Sequence, residues 1–126
     1  MAVKVGVVQH RIMRVLWEEG EVTARHITDV LSREHDIAHS TVQTLLRKLE
    51  AKGVVKHEKR ERTFMFRATV EEEEISRSAV HDLVSRVFRG SVYGLMAHLL
   101  ETEKVPREEL ERLREMVDEQ MRREKP

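Results

Sequence analysis

The chain has 126 residues, of which 40% are hydrophobic, and it carries no net charge and no cysteine. This length fits one small domain, or one domain with an appendage. The lack of cysteine excludes disulfides and thiolate metal sites, and it favours the cytoplasm. No apolar run is long enough to span a bilayer, and the first residues turn polar too early for a signal peptide. We therefore expect a soluble cytoplasmic protein without a membrane partner.

The zero net charge hides an uneven distribution. Residues 1–70 carry 13 Lys and Arg against 9 Asp and Glu, whereas residues 71–126 carry 10 against 14. A basic half joined to an acidic half suggests that an anionic partner binds the first half only.

The first half opens with three amphipathic helices. In VVQHRIMRVLWEEG the apolar residues recur at helical spacing, and Gly20 ends the helix. A short pair, Val22 and Thr23, leads into the second helix, for which Thr23 is the predicted N-cap. The third helix lies in HSTVQTLLRKLEAKG, where the capping-box spacing of Ser40 and Gln43 places its start near Ser40.

The next segment, VVKHEKRERTFMFRA, changes to a period of two. This alternation predicts a β-hairpin with one covered face. Its tip, KRER, has no Gly or Asn to favour a tight turn, so we expect a longer, mobile loop. Three helices followed by a basic-tipped hairpin describe a winged helix-turn-helix, so the predicted fold is mostly α with a small β-hairpin wing.

The second half contains three further amphipathic helices. The first begins at the acidic EEEE run, the second follows the break at Gly90, and the third has Pro106 in its first turn. They expose more apolar surface than 56 residues can cover internally. We therefore predict a winged-helix domain at 1–70 and a helical homodimerisation domain at 71–126; the alternative is that these helices fold back onto the first domain. The predicted dimerisation residues are Ile75, Leu83, Val84, Val87, Phe88, Leu95, Met96, Leu99, Leu100, Leu110, Leu113 and Val117.

The outward face of the third helix carries side chains of the types that read DNA. In a helix-turn-helix the second helix of the pair lies in the major groove. Gln pairs with adenine, Thr contacts a base or a thymine methyl, and Arg or Lys binds guanine or phosphate. Each residue alone is also compatible with an ordinary solvated position, but helix and wing tip converge on one surface. The predicted DNA-binding residues are Ser40, Thr41, Gln43, Thr44, Arg47 and Lys48 on the helix and Lys59, Arg60 and Arg62 on the wing.

Two long stretches of the sequence resemble a known family. The first is WEEGEVTARHITDVL followed by STVQTLLRKLEAKGVVKHEKRERTFMFRA, and the second is VSRVFRGSVYGLMAHLLETEKVPREELERLREMV. Both resemble the penicillinase and methicillin-resistance repressors of the BlaI/MecI type. The resemblance implies a homodimer that represses transcription at a two-fold symmetric operator, of a β-lactam-resistance operon or a similar stress operon. It also places Thr41, Gln43, Thr44 and Lys48 at positions where the family contacts bases or phosphates.

The chain departs from the family pattern in three places. Ala38 stands where many members have a serine able to cap the recognition helix. The paired Cys-x-Cys motifs of the copper-responsive branch are missing, which excludes copper sensing by that device. The β-lactam branch is induced by a protease that cuts an Asn-Phe bond, and the matching positions here are His98 and Leu99. The resemblance thus implies an inducing protease as a further partner, although the Asn is not kept.

Other chemistry finds little support in the sequence. His35 and His39 flank Asp36 at a spacing that a metal site can use, but the segment is an inter-helix connection. No phosphate-binding loop or nucleophile elbow is found, so we predict neither an enzyme nor a cofactor or metal. The competing class is a winged-helix module that binds protein and never touches DNA. Such a module would show no steep salt dependence of DNA binding.

Overall fold

The computed structural model describes residues 4–124. The chain divides into two compact units, Met1–Leu83 and Val84–Pro126. No helix in the described part of the chain is long and apolar enough to cross a membrane. The elements in chain order are α1 (Val7–Glu19), β1 (Val22–Thr23), α2 (Ala24–Leu31), α3 (His39–Ala51), β2 (Val55–Arg60), β3 (Thr63–Ala68), α4 (Glu72–Arg86), α5 (Val92–Thr102) and α6 (Arg107–Arg123).

The first unit is built around one apolar core to which α1, α2, α3 and the roots of the hairpin contribute. Side chains at helical spacing on α1 and α3 are fully buried, as the amphipathic patterns predict. One residue of α4, Ile75, also belongs to this core and is only 5% exposed. We therefore leave Ile75 out of the dimerisation surface proposed below. The buried hydrophobic residues are Ile12, Met13, Val15, Leu16, Ile27, Leu31, Val42, Leu46, Leu49, Val54, Val55 and Ile75.

Two predicted helix boundaries are confirmed and a third is wrong. Gly20 ends α1 with φ +80°, and the Thr23 hydroxyl caps α2 by accepting a 3.0 Å hydrogen bond from the His26 amide. In α3, by contrast, the N-cap is Ala38, and no side chain caps the helix. Ser40 lies inside the first turn, so its predicted capping role is wrong.

A three-stranded antiparallel sheet in the order β1-β3-β2 forms the wing. The strands β2 and β3 pair from Val55 opposite Ala68 to Arg60 opposite Thr63, so the chain reverses in two residues. The longer, mobile loop that we predicted for the tip is therefore wrong. Pairing that continues to the tip selects a tight turn even without Gly, and it holds Glu61 at φ +59°. That left-handed conformation costs a non-glycine residue about 1–2 kcal/mol.

The second unit contains α5 and α6. Ser91 caps α5 by accepting a 2.8 Å hydrogen bond from the Gly94 amide, directly after Gly90 at φ +83°. Within the described residues, neither α5 nor α6 contains a buried side chain. Leu100 is 50% exposed and Val117 is 58% exposed. No apolar side chain of α5 or α6 within the described residues is therefore covered completely.

Candidate nucleic-acid interface

The α3 helix separates a buried apolar face from an exposed polar face. Val42, Leu46 and Leu49 are completely buried and fix how the helix is rotated on the core. The opposite side points to solvent because these three side chains hold the helix in one orientation. The six residues of α3 that we predicted to bind DNA are all exposed: Ser40, Thr41, Gln43, Thr44, Arg47 and Lys48.

Side chains on this exposed face differ in how firmly they are held. The Thr44 hydroxyl donates a 3.0 Å hydrogen bond to the Ser40 carbonyl, and Arg47 Nη2 donates to Thr44 Oγ1 at 3.4 Å. Thr44 and Arg47 are thus oriented along the helix axis before any ligand binds. Gln43 and Lys48 make no side-chain hydrogen bond or ion pair within residues 4–124. Their polar groups are therefore available for an external partner.

The start of α3 is fixed by a contact from α2. His39 Nδ1 lies 2.8 Å from the Thr28 hydroxyl, which itself donates to the Ala24 carbonyl at 2.9 Å. The Thr28 hydroxyl has one hydrogen, which it donates to the Ala24 carbonyl. His39 therefore donates its Nδ1–H to the hydroxyl oxygen. This interaction anchors a helix that lacks a side-chain cap.

The described residues contain no group of three or more potential metal ligands, at His35 and His39 or elsewhere.

The wing is joined to the other end of α3. His57 Nδ1 donates to Glu50 Oε1 at 2.5 Å. The His57 ring also contacts Phe64 and Phe66, with centroids 4.9 and 5.4 Å apart. The polar contact thus joins the wing to α3, and the ring packing holds the two strands of the wing together around His57.

A groove of about 420 Å³ lies between α3 and the wing. The acidic residue in its lining, Glu50, is engaged by His57, whereas arginines from three elements face the groove. Such a lining suits a negatively charged strand. The residues that matter most here are Arg25 on α2, Gln43 and Arg47 on α3, and Arg62 and Phe64 on the wing.

The predicted wing residues do not all reach this groove. Arg62 lines it, and Lys59 lies on the same side of the hairpin as Phe64, its partner in the strand pairing. Arg60 lies elsewhere: its guanidinium contacts Glu21 at 2.5 Å and Glu58 at 3.2 Å. Two carboxylates therefore offset the charge of Arg60.

Several groove residues were not among those predicted. Arg25 lies on α2, and its sequence position gives no sign of the groove. The period of two in VVKHEKRERTFMFRA predicts His57 and Phe64 on the covered face of the hairpin. That face is buried at Val55, which is 1% exposed, but Phe64 near the tip is 49% exposed. The alternation identified the face correctly but gave no measure of how far the core extends along it.

The two-helix motif, the hairpin and the groove between them define a winged helix-turn-helix protein. The model of the penicillinase repressor family matches residues 5–119. The chain belongs to this family, as the resemblance predicted.

Individual relatives agree with this assignment. The chain is 25% identical to the penicillinase repressor of Bacillus licheniformis over 114 residues, which cover 90% of this chain and 89% of the relative. It is 24% identical to the methicillin resistance regulatory protein MecI of Mammaliicoccus sciuri over 107 residues, covering 85% and 87%. Among solved structures, the DNA-binding domain of the repressor BlaI is similar with a TM-score of 0.53, at 23% identity over 59% of this chain and 90% of that chain. The B. licheniformis BlaI monomer in complex with the blaP half-operator is similar with a TM-score of 0.51, at the same identity and coverage.

Proposed function

We propose that the protein is a DNA-binding transcriptional repressor that acts as a homodimer on a two-fold symmetric operator. The observation that carries this proposal is the exposed polar face of α3, which shares one basic groove with the wing. One matched relative is named a penicillinase repressor and another a methicillin resistance regulatory protein, and one similar structure is a complex with a half-operator. The proposal includes a cytoplasmic location, because a repressor acts where the DNA is.

In the proposed complex α3 lies in the major groove. Gln43, which has no partner within the described chain, reads an adenine edge, and Thr44 presents its methyl group to thymine. Arg47 and Lys48 bind guanine or phosphate from the same face. Lys59 and Arg62 on the wing neutralise backbone phosphates, which makes binding strongly dependent on salt.

The proposed dimer forms through apolar side chains of the last three helices that are exposed or only partly buried in the single chain. No side chain of α5 or α6 is buried within the described residues, so the unit gains apolar burial by pairing with a second copy. A two-fold dimer then presents two α3 helices to successive major grooves, roughly 10 bp apart from centre to centre. The surface that we propose consists of Leu83, Val84, Val87, Phe88, Leu95, Met96, Leu99, Leu100, Leu110, Leu113 and Val117.

Induction by proteolysis at the bond between His98 and Leu99 is a second part of the proposal, carried by the family resemblance. The bond lies within α5, and the His98 carbonyl accepts a 2.9 Å hydrogen bond from the Thr102 hydroxyl. A protease needs an extended substrate, so α5 has to open locally before the cut. The test is to incubate the purified chain with extract of the host cells after these have been exposed to a β-lactam, which should activate the inducing protease. A fragment ending at His98 is expected. An intact chain after such induction would contradict this part and leave the DNA-binding proposal untouched.

Selection of bound DNA from a random pool tests the main proposal. We expect a palindromic site whose half-sites are about one helical turn apart. Titration of that site at 50 and 200 mM salt should show affinity falling steeply with salt. A module that binds only protein would select no sequence and show no such slope, and that result would overturn the proposal.

A further inference from the structure

We propose that Phe64 is a DNA-positioning residue, which packs against the deoxyribose of a strand seated between α3 and the wing. This inference rests on the proposed DNA-binding function and deepens it. It assigns a role to an aromatic side chain on the groove side of the wing for which the core gives no explanation.

The register of the hairpin shows that Phe64 lies beyond the core. On the face that turns towards α3, the pairs run from Val55 and Ala68 to Lys59 and Phe64 near the tip. Val55 is 1% exposed and closes the core at the root, whereas Phe64 is 49% exposed. Phe64 lies outside the buried core, and about half of its surface is left open to solvent.

The Phe64 ring is nevertheless held in place. It packs on the His57 ring at a centroid distance of 4.9 Å, and His57 is bonded to Glu50 on α3. On the other side, the Lys59 ammonium lies 5.9 Å from the ring centroid, within the range of a cation–π contact. The ring therefore loses little further conformational entropy when a ligand covers it.

The charges around the ring point to a nucleic-acid strand as the occupant. Arg25, Arg47 and Arg62 line the same groove, and Lys59 stands beside the ring. A DNA backbone alternates phosphates with apolar sugar faces, so its phosphates match the arginines and a sugar matches Phe64. An apolar peptide would leave these cations without counter-charges.

The test uses the full-length chain and the operator obtained by selection, with affinity measured by fluorescence anisotropy at several salt concentrations. Phe64→Ala should weaken binding about tenfold, by analogy with aromatic contacts to nucleic acids, and leave the salt slope unchanged because no charge is lost. Arg62→Ala should reduce the slope by about one. Met65→Ala is the matched control, because Met65 is the next residue along β3 and points to the other face of the hairpin. It should bind within about twofold of the parent if the Phe64 effect is local.

The outcomes separate this inference from the function on which it rests. A Phe64→Ala chain with parental affinity, or with a changed salt slope, would overturn the role of the ring but not DNA binding. If the parent chain selects no DNA, the proposed function fails and the inference with it. Thermal unfolding followed by circular dichroism verifies the fold of each variant. If Phe64→Ala does not fold, Phe64→Leu replaces it, with an intermediate loss expected and unchanged affinity counting against the proposal.

Discussion

His57 on the wing donates a hydrogen bond to Glu50 near the end of α3, with Nδ1 and Oε1 2.5 Å apart. This contact engages the acidic residue of the groove lining and joins α3 to the wing, the two elements that we propose to contact DNA. Both side chains are more than one-third exposed, so the contact stabilises the fold by less than about 1 kcal/mol. We therefore expect its loss to affect the proposed DNA binding more than folding.

His57→Ala should weaken operator binding by roughly 1 kcal/mol, because it leaves the Glu50 carboxylate unpaired beside phosphates. The double variant His57→Ala/Glu50→Gln should recover part of that loss, since the unpaired charge is gone. Isothermal titration calorimetry with operator DNA measures both. If the single and double variants lose the same amount of operator affinity, the loss comes from a shift of the wing and not from the Glu50 charge.

The two arginines near the wing tip should behave differently. Arg62 lines the groove, whereas Arg60 contacts Glu21 and Glu58. Arg62→Ala should reduce the slope of log affinity against log salt by about one, and Arg60→Ala should reduce it by clearly less. Electrophoretic mobility shifts over a range of salt concentrations compare the two directly. The reverse order would place Arg60, free of its carboxylates, on the DNA.

Leu100→Glu combined with Val117→Glu should convert the protein from dimer to monomer, because it puts charges into the proposed apolar interface. Both side chains are at least half exposed in the single chain, so each unit should still fold. Light scattering at micromolar concentration gives the mass. The control is Val7→Glu, which alters an apolar residue that is 72% exposed in the first unit and should leave the dimer intact. A double variant that stays dimeric would refute the proposed surface.

Glu61→Gly should raise the free energy of unfolding by about 0.5–1 kcal/mol, because glycine adopts the left-handed conformation without steric cost. Arg62→Gly is the matched control. The neighbouring position has no positive φ, so glycine there should lower stability. Urea denaturation of the two variants provides the comparison. A loss of stability in both would indicate that the tight turn is absent in solution.

The sequence predicted the elements of this fold well where periodicity was long and regular. Three apolar positions of α3 were enough to predict which of its sides is exposed, because the apolar stripe of an amphipathic helix faces the core. Local signals failed where tertiary contacts override them. Strand pairing forced the two-residue tip, and α3 begins after Ala38 without a side-chain cap while the Thr28 contact to His39 anchors its first turn. Periodicity also identified Ile75 as an apolar position to be covered, but it did not show whether the first unit or a second copy covers it. The apolar pattern of a helix does not identify the element against which the helix packs.

The different constraints on the α3 side chains determine how this surface can be altered. Gln43 and Lys48 are unbonded within the described chain, so either can be randomised alone with little effect on folding. Thr44 and Arg47 share a hydrogen bond, so changes there are coupled and belong in one combined library. His39 should stay together with Thr28, since a transplanted α3 without that hydroxyl would lose its N-terminal anchor. A variant with a new DNA specificity is therefore best built on the intact helix-turn-helix. Gln43 and Lys48 would be exchanged independently, and Thr44 and Arg47 would be exchanged together.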